Sequence, residues 1–276
     1  VPMLYDVAYN EDGTIASFTP NKEGIPATIT KELVMDMNDV PYLEKPVVPY
    51  LKVTQDRVVL EIQRGCIRGC RFCQAGNIYR PLRERSLEYL KDHAYKMLKS
   101  TGHEEISLSS LSSSDYSHLK EIVNFLIDEF QGKGVNISLP SLRIDAFSLD
   151  VMSKVQDIKK SSLTFAPEAG SQRLRDVINK GVCEEDLFGA IDAAFAAGWR
   201  RCKLYFMIGL PTETDDDIKG IASLGQRAYD RAKKATPPEA RGSVKVSISC
   251  ALFVPKAQTP FQWDGQITTE EAHRRI

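Results

Sequence analysis

Arg64-Gly65-Cys66-Ile67-Arg68-Gly69-Cys70-Arg71-Phe72-Cys73 places three thiols within eight positions, directly after the apolar run Val58 to Ile62. Three thiolates at this spacing can converge on one metal centre, and Gly65 and Gly69 let the backbone wrap closely and aim N–H groups at sulfur. A structural zinc usually takes four protein ligands, commonly as two separated pairs. No fourth Cys or His stands near Cys73, and the next His is His93. Three ligands leave one position open, and in a 4Fe-4S cubane held by three cysteines the fourth iron can take a ligand from outside the protein. A zinc-stabilised, non-catalytic interaction module with a remote fourth ligand is the alternative reading of the same residues.

Working outward, short β-branched strands alternate with longer amphipathic segments. Strands are predicted at Val58 to Ile62, Ile106 to Ser109, Val135 to Leu139, Leu163 to Ala166, Cys202 to Ile208 and Val244 to Ala251. Helices are predicted at Ser86 to Lys99, Tyr116 to Phe130, Ser148 to Val155, Ser171 to Asn179, Glu184 to Ala197 and Thr214 to Lys233. Right-handed β-α crossovers turn this alternation into a parallel sheet, either doubly wound or curled into a partial barrel. Periodicity alone leaves that choice open.

The 276 residues suit one large barrel or two ordinary domains, and a 42% hydrophobic share with 26% charged residues is globular composition. The net charge of -1 gives no overall positive field for nucleic acid. No apolar run is long enough to span a bilayer and no leader peptide is visible, so the expected localisation is cytoplasmic. Of the six cysteines, Cys183, Cys202 and Cys250 stand apart from the cluster and read as small hydrophobes rather than a second metal site.

Residues 1–51 read as an N-terminal extension. Apolar runs at Leu4 to Tyr9 and Ile15 to Phe18 flank Glu11-Asp12-Gly13-Thr14, a hairpin signature, and Pro41, Pro46 and Pro49 then suggest an extended connector. Residues 52–251 form the expected core, and 252–276 the start of a C-terminal extension. The chain begins at Val1 and a capped helix opening at Thr268 runs to Ile276, so the sequence reads as a piece of a longer protein.

The C-x3-C-x-aromatic-C form, here with Phe72, resembles the signature of the radical S-adenosylmethionine (radical SAM) superfamily. That resemblance implies a partial (βα)6 TIM-like barrel of parallel strands, with the cluster loop after the first strand. It also implies a 4Fe-4S cluster on Cys66, Cys70 and Cys73 whose open iron chelates S-adenosylmethionine, and reductive cleavage to a 5'-deoxyadenosyl radical. Phe72 then lies at the cofactor. Gly209-Leu210-Pro211 resembles the turn whose backbone meets the adenine, with Gly209 and Pro211 the contacts. Glu168, at the end of the fourth strand, is a candidate for the ribose hydroxyls, with a helix-dipole role as its alternative. Ser141 and Arg143, after the third strand, are candidates for the cofactor carboxylate or ribose, with a surface salt bridge as the alternative. Where the superfamily often carries a Gly-Gly-Glu segment for the cofactor ammonium, this chain has Ser109 to Asp115, leaving backbone carbonyls or Ser and Asp oxygens such as Ser112 for that role, with a helix N-cap the alternative for Ser114 or Asp115.

Arg64, Arg68, Arg71, Arg80, Arg83 and Arg85 crowd the same loop and set up a local positive field. The chain also resembles uncharacterised bacterial radical SAM proteins with a preceding cobalamin-binding domain, through Leu4-Tyr5-Asp6, Gln74 to Pro81, Ala166 to Gly170 and Thr259 to Trp263. Gln55 and Gln258 stand where that subgroup is expected to have histidine. The subgroup is similar to methylthiotransferases, which implies methylation or methylthiolation of a macromolecule, an RNA or ribosome-related substrate, a reducing partner such as flavodoxin or ferredoxin, and cobalamin on a domain outside this sequence.

Overall fold

The computed structural model describes residues 2–138 and 163–276. The predicted helix at 148–155 and the candidates Ser141 and Arg143 lie outside the described residues. Two compact units are present, residues 1–35 and 36–276. In the first, β1 (Tyr5–Tyr9) and β2 (Ile15–Pro20) form the expected antiparallel hairpin, turned at Gly13, with Tyr5 stacked on Phe18 at 4.3 Å between ring centroids.

In the larger unit, β3 (Val58–Glu61), β6 (Glu105–Ser109) and β7 (Asn136–Ser138) form a parallel three-stranded sheet in that order. A second parallel sheet has the order β8 (Leu163–Glu168), β9 (Arg201–Ile208), β10 (Lys245–Leu252). Neighbours in sequence are neighbours in space, as helical crossovers require. The sheets do not close on themselves among the described residues, which is the architecture of a partial (βα)6 TIM-like barrel.

Helices form where pattern and caps agree. Helix α2 (Leu87–Thr101) starts at Ser86, whose hydroxyl accepts the Tyr89 N–H, and stops at Gly102 with φ 69°. Its buried Leu90, Ala94, Met97 and Leu98 follow helical spacing and, with α3 (Leu119–Phe130), cover the first sheet. Helices α5 (Glu184–Ala196) and α6 (Asp215–Ala235) cover the second around Phe195, Leu204 and Phe206. Burying such a phenylalanine contributes about 1.5–3 kcal/mol. Between β8 and α5 lies the short α4 (Gln172–Val177).

The segment 36–44 meets the outer edge of β3 through Tyr42. The Tyr42 hydroxyl donates to the Val59 carbonyl at 2.6 Å and accepts the Glu61 N–H at 3.0 Å, replacing ladder bonds a neighbouring strand would make. Met37 and Val40 carbonyls accept from Arg85, whose guanidinium lies 4.8 Å from both the Tyr42 and Tyr89 ring centres. Arg85 is therefore a fully buried structural cation.

Gly170 and Gly220 mark a close approach of the β8 exit to α6. A Cβ on Gly170 would sit 2.4 Å from the Asp217 carbonyl oxygen and the Ile221 nitrogen, both backbone atoms. Gly189, on the exposed side of α5, has nothing within 4 Å of such a Cβ. Chemical denaturation should therefore show Gly170→Ala losing about 1–3 kcal/mol or more from overpacking, and Gly189→Ala gaining up to about 1 kcal/mol from helix propensity. Equal effects at the two sites would contradict the packing described.

Candidate active site

The loop carrying the cysteines leaves and re-enters the fold through a two-stranded antiparallel ladder, β4 (Gln63–Arg64) with β5 (Arg83–Glu84). The short helix α1 (Ala75–Ile78) lies within it. Gly65, with φ 106°, is required at the stem because a Cβ there would stand 2.6 Å from the Tyr79 carbonyl oxygen. Gly76 is required for the same reason, its Cβ falling 2.5 Å from the Arg68 carbonyl oxygen. None of the three cysteines is in a disulfide; Cys70 is buried, and Cys66 and Cys73 are half-buried. As they stand, no three Cys, His, Asp or Glu side chains among the described residues are gathered closely enough to hold a metal ion.

Both sheets hold this loop. From the first sheet, the segment after β6 makes four contacts with it. Ser112 accepts at its carbonyl from Gln63 (2.6 Å), Asp115 pairs through both oxygens with Arg68, the Ser117 N–H donates to Glu84 (2.9 Å), and the Tyr116 hydroxyl donates to the Arg85 carbonyl (2.9 Å). From the second sheet, the Asn179 amide donates to the Gly69 carbonyl (2.8 Å) and the Ile178 carbonyl accepts the Arg71 N–H (3.0 Å). Past β10, Phe261 donates its N–H to the Arg71 carbonyl and Ala257 accepts from Gln74. Phe72 packs on a small apolar cluster drawn from the exits of β8, β9 and β10, namely Ala169, Leu210 and Phe253, with Leu174, Ile178 and Phe261. The thiols are thus carried at the C-terminal ends of the strands, where parallel barrels build their sites.

Of the other candidates among the described residues, Ser112, Glu168, Gly209 and Pro211 lie at or just past the C-terminal ends of β6, β8 and β9. Glu168 ends β8 after a register shift, holds φ 68° without being glycine, and pairs with Lys180 at 3.0 Å. Such backbone strain persists where its surroundings enforce it, commonly at functional sites. The Lys180 ammonium lies 5.9 Å from the Phe72 ring centre, linking Glu168 to the cysteine loop. Ser112 is 2% exposed, and its hydroxyl, like the neighbouring Gln63 Oε1, is buried with no hydrogen-bond partner. Two buried orphan oxygens at one strand exit make a polar niche that invites a donor.

Gly209 has φ 86° and gives its N–H to Glu213 at 2.6 Å. Its open face is covered by Ile267, 2.9 Å from where a Cβ would stand. Burial pushes the Glu213 carboxyl up, while the Gly209 N–H and Arg275, 2.6 Å away on α7 (Thr269–Arg275), pull it down. Pro211 is half-buried in the same turn.

Several residues read together in the sequence separate in space. The arginines do not form one open anion patch: Arg85 is sealed in the core, Arg64 is paired with Glu61 and Arg68 with Asp115. Cys202 is a buried hydrophobe whose thiol burial pushes up to about 12. Cys183 instead caps α5 against Asp186, and Cys250 is exposed on the outermost strand. Gln55 accepts from Arg57, and Gln258 adopts φ 66° with its N–H donated to Gln262. Sequence reading passed over Asn179, Lys180 and Asp217, whose roles depend on pairings across more than ten residues.

Residues 60–225 match the radical SAM superfamily. The chain belongs to that superfamily. It is 41% identical over 204 residues to an uncharacterised protein of Methanocaldococcus jannaschii, covering 74% of this chain and 42% of that protein. It is 26% identical over 211 residues to the ribosomal protein uS12 methylthiotransferase RimO of a Hydrogenobaculum species, covering 71% and 50%. The chain thus spans half or less of the length of these relatives. Among solved structures, the cobalamin-dependent S-adenosylmethionine radical enzyme OxsB matches with a TM-score of 0.60 at 15% identity, over 92% of this chain and 40% of that one. At that identity the likeness establishes the fold. No helix among the described residues is long and apolar enough to cross a membrane.

Asp217 fixes the relation between the β8 and β9 exits. Its carboxylate accepts from Ser171 and Arg173 and, at 2.8 Å each, from the N–H and hydroxyl of Thr214. Burial alone would raise this carboxyl, but the bonds from Ser171, Thr214 and Arg173 override it and hold it at about 2, below the ordinary 3.8. A depressed native value means the contribution is fully present above about pH 3.8 and is lost as pH falls through about 2. Asp217→Asn should cost roughly 1.5–3 kcal/mol at pH 7, and the gap to wild type should narrow towards pH 2, as read by denaturant titration. A gap independent of pH would refute the charge-based account.

Proposed function

We propose that this chain is the core of a radical SAM enzyme in which Cys66, Cys70 and Cys73 hold a 4Fe-4S cluster with one iron open to S-adenosylmethionine. The observation that carries the reading is a loop with three cysteines outside any disulfide, gripped from both sheets at the C-terminal mouth. The donor set fits the group, since three thiolates satisfy three irons and leave the fourth for a chelating ligand. When bound, the cluster supplies the electron that splits the sulfonium and releases a 5'-deoxyadenosyl radical.

The protein's part is to place the cofactor. Phe72 offers an apolar face beside the loop, Glu168 a carboxylate for ribose hydroxyls, and the orphan oxygens of Ser112 and Gln63 accept from an ammonium. Gly209 and Pro211 supply a turn past β9 for the adenine, and Ser141 and Arg143 are proposed for the cofactor carboxylate or ribose. Methylthio or methyl transfer to a macromolecule follows as the proposed reaction, supported by the named activity of RimO, with an RNA or ribosome-related substrate. Cobalamin on a further domain is supported by the fold likeness to OxsB, and electrons come from a flavodoxin or ferredoxin.

Anaerobic reconstitution should give a brown protein with about four irons and four sulfides per chain that makes 5'-deoxyadenosine under a strong reductant. Replacing any one of Cys66, Cys70 or Cys73 by Ala should abolish both, while Cys183→Ala and Cys250→Ala should leave iron content unchanged. Glu168→Gln should keep the cluster but bind S-adenosylmethionine more weakly, losing a charge-assisted bond of roughly 1.5–3 kcal/mol. One tightly bound zinc in place of iron would mark the chain as a zinc-stabilised interaction module.

A further inference from the structure

We propose that Asp115 and Asn179, both outside the cysteine motif, are positioning residues that set the geometry and charge environment of the cluster loop from opposite sheets. The inference rests on the cluster reading above. Asp115 lies in the turn that follows β6, and its side chain is only 6% exposed. Its two oxygens face the Arg68 Nε and Nη2, a bidentate pairing that fixes the guanidinium plane. Arg68 sits between Cys66 and Cys70, so the orientation of that cation is decided 47 residues away in sequence. An exposed pair of this kind contributes little, but a carboxylate this buried is held in one place and its charge is poorly screened.

Asn179 works from the other side. It occupies φ 53°, a conformation asparagine tolerates better than most residues, and its amide donates to the Gly69 carbonyl at 2.8 Å. A Cβ on Gly69 would lie 2.9 Å from that amide nitrogen. The absence of a side chain at 69 and the presence of an amide at 179 are therefore complementary, and together they fix the peptide that precedes Cys70. The adjoining Arg71 N–H to Ile178 carbonyl bond, 3.0 Å, holds the next peptide in the same way. Neither residue touches a reacting atom; both act through the loop.

The two residues predict different signatures. Asp115→Asn keeps the shape and removes a negative charge, so the reduced cluster is stabilised and its midpoint potential rises. Arg68→Gln removes a positive charge and lowers it, and Arg68→Lys, which keeps the charge, lies nearer wild type. Asn179→Gly loosens the loop, so a chelator strips iron severalfold faster at an unchanged potential sign. Gly69→Ala should lose iron too, and Asn179→Gly in the same chain should recover part of that loss by removing the crowding.

The experiment is redox titration followed by electron paramagnetic resonance, with chelator kinetics, on the reconstituted chain, using circular dichroism melting to verify folding. Opposite potential shifts for Asp115→Asn and Arg68→Gln, with the Gly69 and Asn179 effects less than additive, support the inference. Folded variants with wild-type potentials and wild-type iron release overturn it while leaving the cluster reading intact. A wild-type chain that takes up no iron–sulfur cluster overturns the cluster reading and this inference with it.

Discussion

The constraint on which the rest depends is that one loop must be held by two sheets at once. Neither three-stranded sheet alone can fix the residues between Gln63 and Glu84. The first offers Ser112, Asp115, Tyr116 and Ser117, and the second offers Ile178 and Asn179 together with the apolar cluster under Phe72. The exits of four different strands therefore converge on one cysteine-bearing segment. A partial barrel suits this purpose, because strand order brings every C-terminal end to one rim. The backbone strain at Glu168 and the close packing at Gly65 and Gly76 lie within that rim, where they are enforced by neighbours on several elements.

The open edge of the first sheet is the second structural demand. Among the described residues no strand pairs with the outer edge of β3, and Tyr42 satisfies two of its backbone groups with one hydroxyl. The same segment reaches Arg85, the residue immediately after the ladder that closes the cysteine loop. Edge protection and loop anchoring are thus one arrangement. A buried guanidinium is costly unless its surroundings answer it; here carbonyls from 37 and 40 accept from Nη1, two tyrosine faces and the Glu61 carboxylate at 3.9 Å answer the charge, and Nε and Nη2 make no hydrogen bond.

Much of the fold was legible in the sequence because it is written in local periodicity. Every predicted strand and helix of the barrel that falls among the described residues is present, with ends displaced by a few positions where caps decide them, as at Gly102 and Thr214. The cysteine loop was legible through spacing. Its supports were not, because Asp115 with Arg68 and Asn179 with Gly69 are pairings of distant residues with no local pattern. Glu168 was visible as a carboxylate at a strand end, while its left-handed backbone was not, since nothing in a non-glycine residue announces a positive φ. The arginine crowd misled in the opposite direction: sequence proximity suggested one field, and the fold distributes those charges among a buried core site and separate carboxylates. Cys250 likewise read as a buried hydrophobe, but β10 is the outermost strand of its sheet and leaves it exposed.

The central claim is that three thiolates on a doubly anchored loop leave one iron for a small-molecule ligand. Mössbauer spectroscopy of the iron-57-reconstituted chain, recorded with and without S-adenosylmethionine, tests it most directly. A 4Fe-4S spectrum is expected in which one iron site alone changes its isomer shift when the cofactor is added. A spectrum unchanged by S-adenosylmethionine, with all irons equivalent, would contradict it.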